Sequence, residues 1–258
     1  MTETRLRARS VSEIVDAAFQ LYRQDPAQYI AVTAVAYAPW LLIQLFLLPK
    51  PSTDPSTIAL SPTAAVVAMI SGFGTWISLV LMSGVIVRLG SEAYLGTPGS
   101  RDVAGTIRAV LPRVPALMLA GLYKFLLTML GFLCLIVGAL YVAARYFAVA
   151  TTVVLEDRSA WGALGRSSAL SKGQKRHILN TLVLVFIIYL VASFAAGIVA
   201  GMTGSGVVMQ VVSTGFTIVA YPIIGLAEMV LYYDVRIRNE GFDIELMAQG
   251  LEPGPVET

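Results

Sequence analysis

The chain has 258 residues, of which 57% are hydrophobic and 13% are charged, and its mean hydropathy is +0.75. A single water-soluble core cannot bury that much apolar side chain, so the composition predicts a membrane protein and excludes an ordinary soluble domain. The net charge is only +2 and the basic residues cluster at the ends of apolar runs, so we expect no nucleic-acid partner.

Six apolar runs follow one another, most of them long enough to cross about 30 Å of hydrocarbon. They lie near residues 27–48, 64–87, 116–137, 139–155, 178–200 and 207–232. The third and fourth runs form one nearly unbroken apolar stretch, so we expect a tight hairpin around Gly131 to Gly138. The predicted fold is a single all-α membrane domain over residues 1–258, a polytopic bundle of about six transmembrane helices.

A short amphipathic segment precedes the first, third and fifth runs, at residues 10–25, 101–113 and 159–171. In the first segment, Ile14 and Ala18 share one helical face while Glu13 and Asp16 lie on the other. We expect these helices to lie in the headgroup region on the cytoplasmic side, against anionic lipids. One interfacial helix followed by one transmembrane hairpin occurs three times, which indicates a weak internal repeat.

Basic residues collect on alternate connections between the runs. The basic side includes Arg5, Arg7, Arg9, Arg23, Arg88, Arg101, Arg108, Arg113, Arg158, Arg166, Lys172, Lys175, Arg176, Arg236 and Arg238, whereas the opposite side has Lys50 alone. The positive-inside rule then places both termini in the cytoplasm, with residues 239–258 as a cytoplasmic tail. The segment after the amino terminus carries charges in place of an apolar signal core, so we expect no cleaved signal peptide.

Residues that carry enzyme chemistry are scarce in this chain. His177 is the only histidine and Cys134 the only cysteine, and neither a phosphate-binding glycine loop nor a zinc-protease motif occurs. We therefore expect no catalytic residues, no metal and no cofactor.

Four charged residues fall inside or at the end of the apolar runs: Lys124, Arg145, Glu228 and Asp234. A bare charge at the bilayer centre costs at least about 2.5 to 3.5 kcal/mol, so these groups should face the bundle interior and pair. We expect Lys124 and Arg145 near the midplane and Glu228 somewhat shallower. Two interpretations stay open: a structural lock between helices, and a site for an anionic solute or lipid.

Three stretches carry a family resemblance: SEIVDAAFQLYRQDP at 12–26, VLEDRSAWGALGRSSALSKG at 154–173 and LYYDVRIRNEGFDIE at 231–245. On these stretches the chain resembles the bacterial glycerophosphoryl diester phosphodiesterase membrane domain family. Ser168 departs from that pattern, which often has an aromatic residue there. The matching motif positions are Glu156, Arg166, Ser167, Gly173, Tyr233, Asp234, Arg236, Arg238, Gly241, Phe242 and Asp243.

The resemblance implies a membrane module of the bacterial inner membrane. It carries no phosphodiesterase activity over, because the soluble catalytic barrel of the family's namesakes is absent from this sequence. We expect a non-enzymatic scaffold or accessory partner for envelope or lipid-related proteins, in contact with the bilayer, its anionic lipids and a possible protein partner. The alternative is a carrier or channel for a small anionic solute or lipid that uses Lys124 and Arg145.

Overall fold

The structure is a computed structural model that describes residues 7–47, 62–96 and 103–244. Every regular element in those ranges is a helix, and six helical segments are long and apolar enough to span a membrane. The predicted all-α bundle with about six transmembrane helices is therefore confirmed. Our predictions for Arg5, Lys50, Arg101 and most of the tail fall on residues outside the described ranges.

The described ranges contain ten α-helices and one short 3-10 helix. They are α1 Val11–Gln24, α2 Pro26–Phe46, α3 Pro62–Leu95, α4 Val103–Val110, the 3-10 helix Leu111–Arg113, α5 Val114–Leu133, α6 Leu135–Arg145, α7 Val149–Leu155, α8 Ala160–Leu170, α9 Lys175–Gly201 and α10 Gly206–Glu240. A short helix followed by two longer ones occurs three times, as α1 to α3, α4 to α6 and α8 to α10. This order has the form of the repeat expected from the sequence, with α7 added after the second unit.

The boundary between α1 and α2 follows from local capping. The Ser10 side chain accepts a hydrogen bond from the Glu13 amide while Glu13 accepts one from the Ser10 amide, which forms a capping box at the start of α1. Asp25 then caps α2 by accepting from the Gln28 amide, and Pro26 occupies the first helical position. The chain therefore turns from an amphipathic helix into an apolar one within a single residue.

The apolar face of α1 packs inside the protein. The sequence had predicted that this face would lie against lipid headgroups. Ile14 and Ala18 are fully buried, and α1 packs on α9 and α10. Burying such a face against neighbouring helices removes it from water as effectively as lipid does, and the sequence pattern is the same in both cases. The apolar side of α1 is therefore covered by protein, and the position of the helix at the headgroup level stays a prediction.

α3 and α10 are longer than a bilayer requires. They contain 34 and 35 residues, which gives each a length of about 50 Å against about 30 Å of hydrocarbon. Both continue beyond the predicted ends of their apolar runs, at residues 87 and 232. Their last turns join α1, α7, α8 and the first turn of α9 in a layer that we call the charged end, where Leu226 to Val235 of α10 are almost entirely buried.

α5 and α6 form the expected hairpin, with its turn at Cys134 between them. The two helices approach most closely at Gly131 and Gly138, where a Cβ atom on Gly138 would lie 2.2 Å from the Gly131 carbonyl oxygen. Only glycine allows this approach without moving the backbone. The apex is apolar and exposed, with Leu133 at 81% and Leu135 at 78% exposure.

The fourth apolar run, predicted as a span over residues 139–155, consists of two helices and a turn, and Leu135–Leu155 is one of the six segments long and apolar enough to span a membrane. α6 ends at Arg145, and a turn at residues 146–148 leads into α7. α7 packs against α3, α5 and α8, and its residues Thr151, Thr152 and Val153 are buried. The run is apolar throughout because α6 faces the outside of the bundle for much of its length while α7 lies in its core.

Large apolar side chains cover the outside of the bundle away from the charged end. Examples with more than half of their surface exposed are Phe46, Met69, Phe73, Phe194 and Val199. Contiguous apolar surface of this kind is unfavourable in water and favourable in hydrocarbon. The exposed face of the bundle thus indicates a lipid bilayer as the surrounding medium.

Acidification should loosen the start of α1. Glu13 accepts a hydrogen bond from Arg7 and another from the Ser10 amide, and together these bonds lower its pKa from 4.5 to about 2. A lowered folded-state pKa stabilises the helix start above pH 4.5, and that stabilisation is lost as the pH falls toward 2. Hydrogen exchange at residues 10–14, corrected for intrinsic rates, should accelerate over this window. A Glu13→Gln variant should lack the extra acceleration, and equal behaviour of the two proteins would contradict the assignment.

Candidate functional site

Lys124 and Glu228 are the charged pair that the structure brings together inside the bundle. Lys124 lies on α5 and Glu228 on α10, and the ammonium acts electrostatically on the carboxyl group. Within the described residues, neither side chain forms a hydrogen bond or a direct ion pair. The Lys124 ammonium thus has no direct carboxylate partner among the described residues and can take another ligand.

Two cavities meet at this pair. One has a volume of about 300 Å³ and lies among α3, α5, α7 and α10, with Trp76, Phe125 and Tyr221 in its wall. The other has a volume of about 370 Å³ and lies among α5, α6, α9 and α10. Lys124, Thr128 and Glu228 line both. Mostly apolar walls with a few convergent polar groups are typical of small-molecule sites.

Arg145 does not join Lys124 and Glu228, which corrects the predicted network. Its guanidinium donates a hydrogen bond to the Tyr141 hydroxyl at 3.1 Å, and its backbone carbonyl accepts one from Ser167 of α8. The reason is that α6 ends at Arg145, just before the turn at residues 146–148. Arg145 therefore lies at the charged end, beside α8 and apart from Lys124 and Glu228.

Asp234 belongs to a separate cluster at the charged end. Its carboxylate is 1% exposed and accepts hydrogen bonds from the Arg9 amide, from Arg238 at 2.8 Å and from His177 Nε2 at 2.9 Å. Three partners on different segments satisfy a charge that would otherwise be costly to bury. This Asp234 cluster connects α1, α9 and α10, and it contains no contact with Lys124 or Glu228.

A second ion network surrounds Arg166 on α8. Arg166 donates to Glu156 at 2.9 Å and to Glu240 at 2.8 Å, and the two carboxylates raise the pKa of its guanidinium, Glu240 most strongly. Tyr232 donates to Glu156 at 2.8 Å, and Arg236 donates to Glu240 at 3.1 Å. The Arg166 network thus joins the end of α7, the middle of α8 and the end of α10.

Most remaining motif positions serve the same end of the bundle. The ring of Tyr233 stacks on Tyr94 and on Phe242, and its hydroxyl lies 2.7 Å from the Ser91 hydroxyl. Ser167 is fully buried and accepts a hydrogen bond from the Ala148 amide.

The two motif glycines have positive φ angles. Gly173 has a φ of +78°, and Gly241, which ends α10, has a φ of +66°. Asp243 follows Phe242 and takes no part in either ion network of the described chain.

The sequence does not indicate that His177 belongs to the Asp234 cluster. His177 follows Lys175 and Arg176 in a basic segment. Nothing in that segment predicts that the His177 ring pairs with Asp234, which lies 57 residues later. Among the residues that the structure describes, no group of three or more histidine, cysteine, aspartate or glutamate residues is arranged to hold a metal ion.

Comparison of the chain with protein-family models, with curated proteins and with solved structures finds no match. The site must therefore be interpreted from its own geometry.

Proposed function

We propose that this protein is a carrier for a small organic anion, which it binds at Lys124. The supporting observation is the position of Lys124 between two cavities, with no direct ion pair in the described part of the chain. A lysine inside a helical membrane bundle is costly unless a function or a partner retains it. Glu228 lines the same two cavities without a direct ion pair to Lys124, so an incoming anion can reach the ammonium.

Replacing Lys124 with methionine should abolish transport while leaving the helices packed. The purified protein is reconstituted into liposomes, and uptake of labelled succinate, phenyl phosphate and inorganic phosphate is measured. We expect uptake of at least one anion to fall by about 10- to 100-fold in Lys124→Met, because a charge-assisted hydrogen bond contributes about 1.5 to 3 kcal/mol. Glu228→Gln should keep uptake, since it leaves the Lys124 ammonium in place.

The matched control is Lys172→Met, which removes an equal charge from an exposed position at the charged end. Its uptake should equal that of the wild-type protein. Gel filtration in detergent should show unchanged elution for all variants. Equal uptake by Lys124→Met and wild type, or no protein-dependent uptake of any of the three anions, would contradict the carrier.

A scaffold or accessory role for envelope or lipid-related proteins stays a prediction that we rank second. Its basis was the set of amphipathic helices, and the apolar face of α1 already packs on α9 and α10. That face is consequently closed to a protein partner. Capture of a defined partner together with absent transport would favour the scaffold.

We also propose that the charged end faces the cytoplasm of a bacterial inner membrane. The concentration of arginine and lysine on this side supports that orientation by the positive-inside rule. Membership of the glycerophosphoryl diester phosphodiesterase membrane domain family stays a prediction, supported by the convergence of most motif residues on one layer. A green fluorescent protein fused behind Thr258 should fluoresce, and alkaline phosphatase at the same position should be inactive.

A further inference from the structure

Two cations converge on one neutral group where α6 meets α9. Arg145 Nη1 and Lys175 Nζ each donate a hydrogen bond to the Tyr141 hydroxyl, both at 3.1 Å. The Lys175 ammonium also lies 4.4 Å from the centre of the Tyr141 ring. Two positive charges that share one phenol oxygen repel each other, and an anion placed between them would relieve that repulsion.

This cation pair differs from the other arginine sites at the charged end. Arg166 and Arg238 each contact a carboxylate, whereas Arg145 and Lys175 form no ion pair with any carboxylate of the described residues. The Nε atom of Arg145 is buried and has no hydrogen-bond partner there. The start of α9 adds to the positive potential, because the Gln174 side chain forms no capping hydrogen bond. The local chemistry therefore favours an oxyanion.

An apolar groove lies next to this cation pair along the chain, since Leu140, Ala143 and Leu179 line it while Tyr141, Arg145 and Lys175 do not. Lys175, Leu179, Leu182 and Phe186 share one face of α9 by their helical spacing, and the last three line the cavity of about 370 Å³. α6 contributes residues such as Ile136 and Ala143 to the opposite wall. Lys175 precedes this wall by one turn and lies about 16 Å from Phe186 by the helical rise, which is close to half of a hydrocarbon core of about 30 Å.

We propose that an anionic phospholipid of one leaflet occupies this groove, with its phosphate on Arg145 and Lys175. The cations recognise the phosphate, and the apolar walls take an acyl chain whose length matches one leaflet. Tyr141 holds the two cations in place while the groove is empty. The acyl chain would occupy one of the two cavities at Lys124, but this proposal differs from the carrier because Arg145 and Lys175 hold the anion, and it needs neither transport nor the charge of Lys124.

The full chain, purified and stripped of lipid, is tested by native mass spectrometry. The probes are palmitoyl-oleoyl phosphatidylglycerol and phosphatidylcholine with the same chains. We expect the wild-type protein to retain more phosphatidylglycerol than phosphatidylcholine. In the double variant Arg145→Gln, Lys175→Gln, the amount of phosphatidylglycerol retained should fall by at least about 10-fold. The matched control is Lys172→Gln, Arg176→Gln, which removes two exposed charges and should retain the lipid.

A second variant tests the groove without changing its charge. Ala143→Phe should fill the groove and reduce retention of phosphatidylglycerol, while excess inorganic phosphate should not displace the lipid from the wild-type protein. Lys124→Met should retain the lipid, which separates this proposal from the carrier. Equal retention of the two lipids by the wild-type protein, equal loss in both double variants, or displacement by free phosphate would overturn the proposal.

Discussion

Among single substitutions at the charged end, Asp234→Ala is expected to lower the stability of the protein most. It removes the shared acceptor of Arg238, His177 and the Arg9 amide, so buried donors on three segments lose their partner. Breaking a buried ion pair from one side costs about 3 to 5 kcal/mol. At about 2 to 4 °C per kcal/mol for a domain of this size, the apparent melting temperature should fall by roughly 10 °C. Heating in detergent followed by gel filtration measures that temperature.

Two further variants make this result specific. Asp234→Asn keeps the shape and one acceptor oxygen, so its melting temperature should lie between those of the wild type and the alanine variant. Asp16→Ala removes an exposed carboxylate from α1 and should change the melting temperature by little. If Asp16→Ala and Asp234→Ala lowered it equally, the Asp234 cluster would have no particular role in stability.

The variant Gly138→Ala should destabilise the hairpin although alanine is the better helix former. An added Cβ atom would lie 2.2 Å from the Gly131 carbonyl oxygen and 2.8 Å from the Cys134 side chain, so α5 and α6 must move apart. Overpacking of this kind typically costs about 1 to 3 kcal/mol, and backbone contact places this variant at the upper end. Thermal unfolding followed by circular dichroism should show a lower midpoint.

This experiment is decided by whether the midpoint of thermal unfolding falls or rises. Gly197→Ala in α9 is the matched control, because no atom lies within 4 Å of the Cβ position there. That variant should be as stable as the wild type or more stable, since alanine favours a helix over glycine by about 1 kcal/mol. A Gly138→Ala protein with an unchanged or raised midpoint would contradict close packing at the hairpin.

The membrane bundle could be predicted because the apolar runs that produce it are continuous in the sequence. Long apolar runs must be surrounded by lipid, and their length sets the number of helices that can cross. The glycines of the hairpin gave its position, since Gly131 and Gly138 bracket the turn at Cys134. These features depend on local sequence alone.

The candidate site could be predicted only in part, because pairing depends on where helices end. The turn after Arg145 contains Tyr146, Phe147 and Ala148, with neither glycine nor proline to indicate a break. The expected network of Lys124, Arg145 and Glu228 requires a helix that continues past Arg145, whereas α6 ends there. Lys124 and Glu228 do line the same two cavities, because α5 and α10 continue without a break around them, although the two side chains form no direct ion pair.

The hydrogen bond from the Arg9 amide to Asp234 joins residues 225 positions apart. A ribosome therefore finishes the first helix long before it makes the surface that this helix needs. During synthesis, the apolar face of α1 cannot pack on α10 until α10 has been made. Closure of the charged end therefore requires the chain as far as Asp234, because a shorter chain lacks the carboxylate that the Arg9 amide binds.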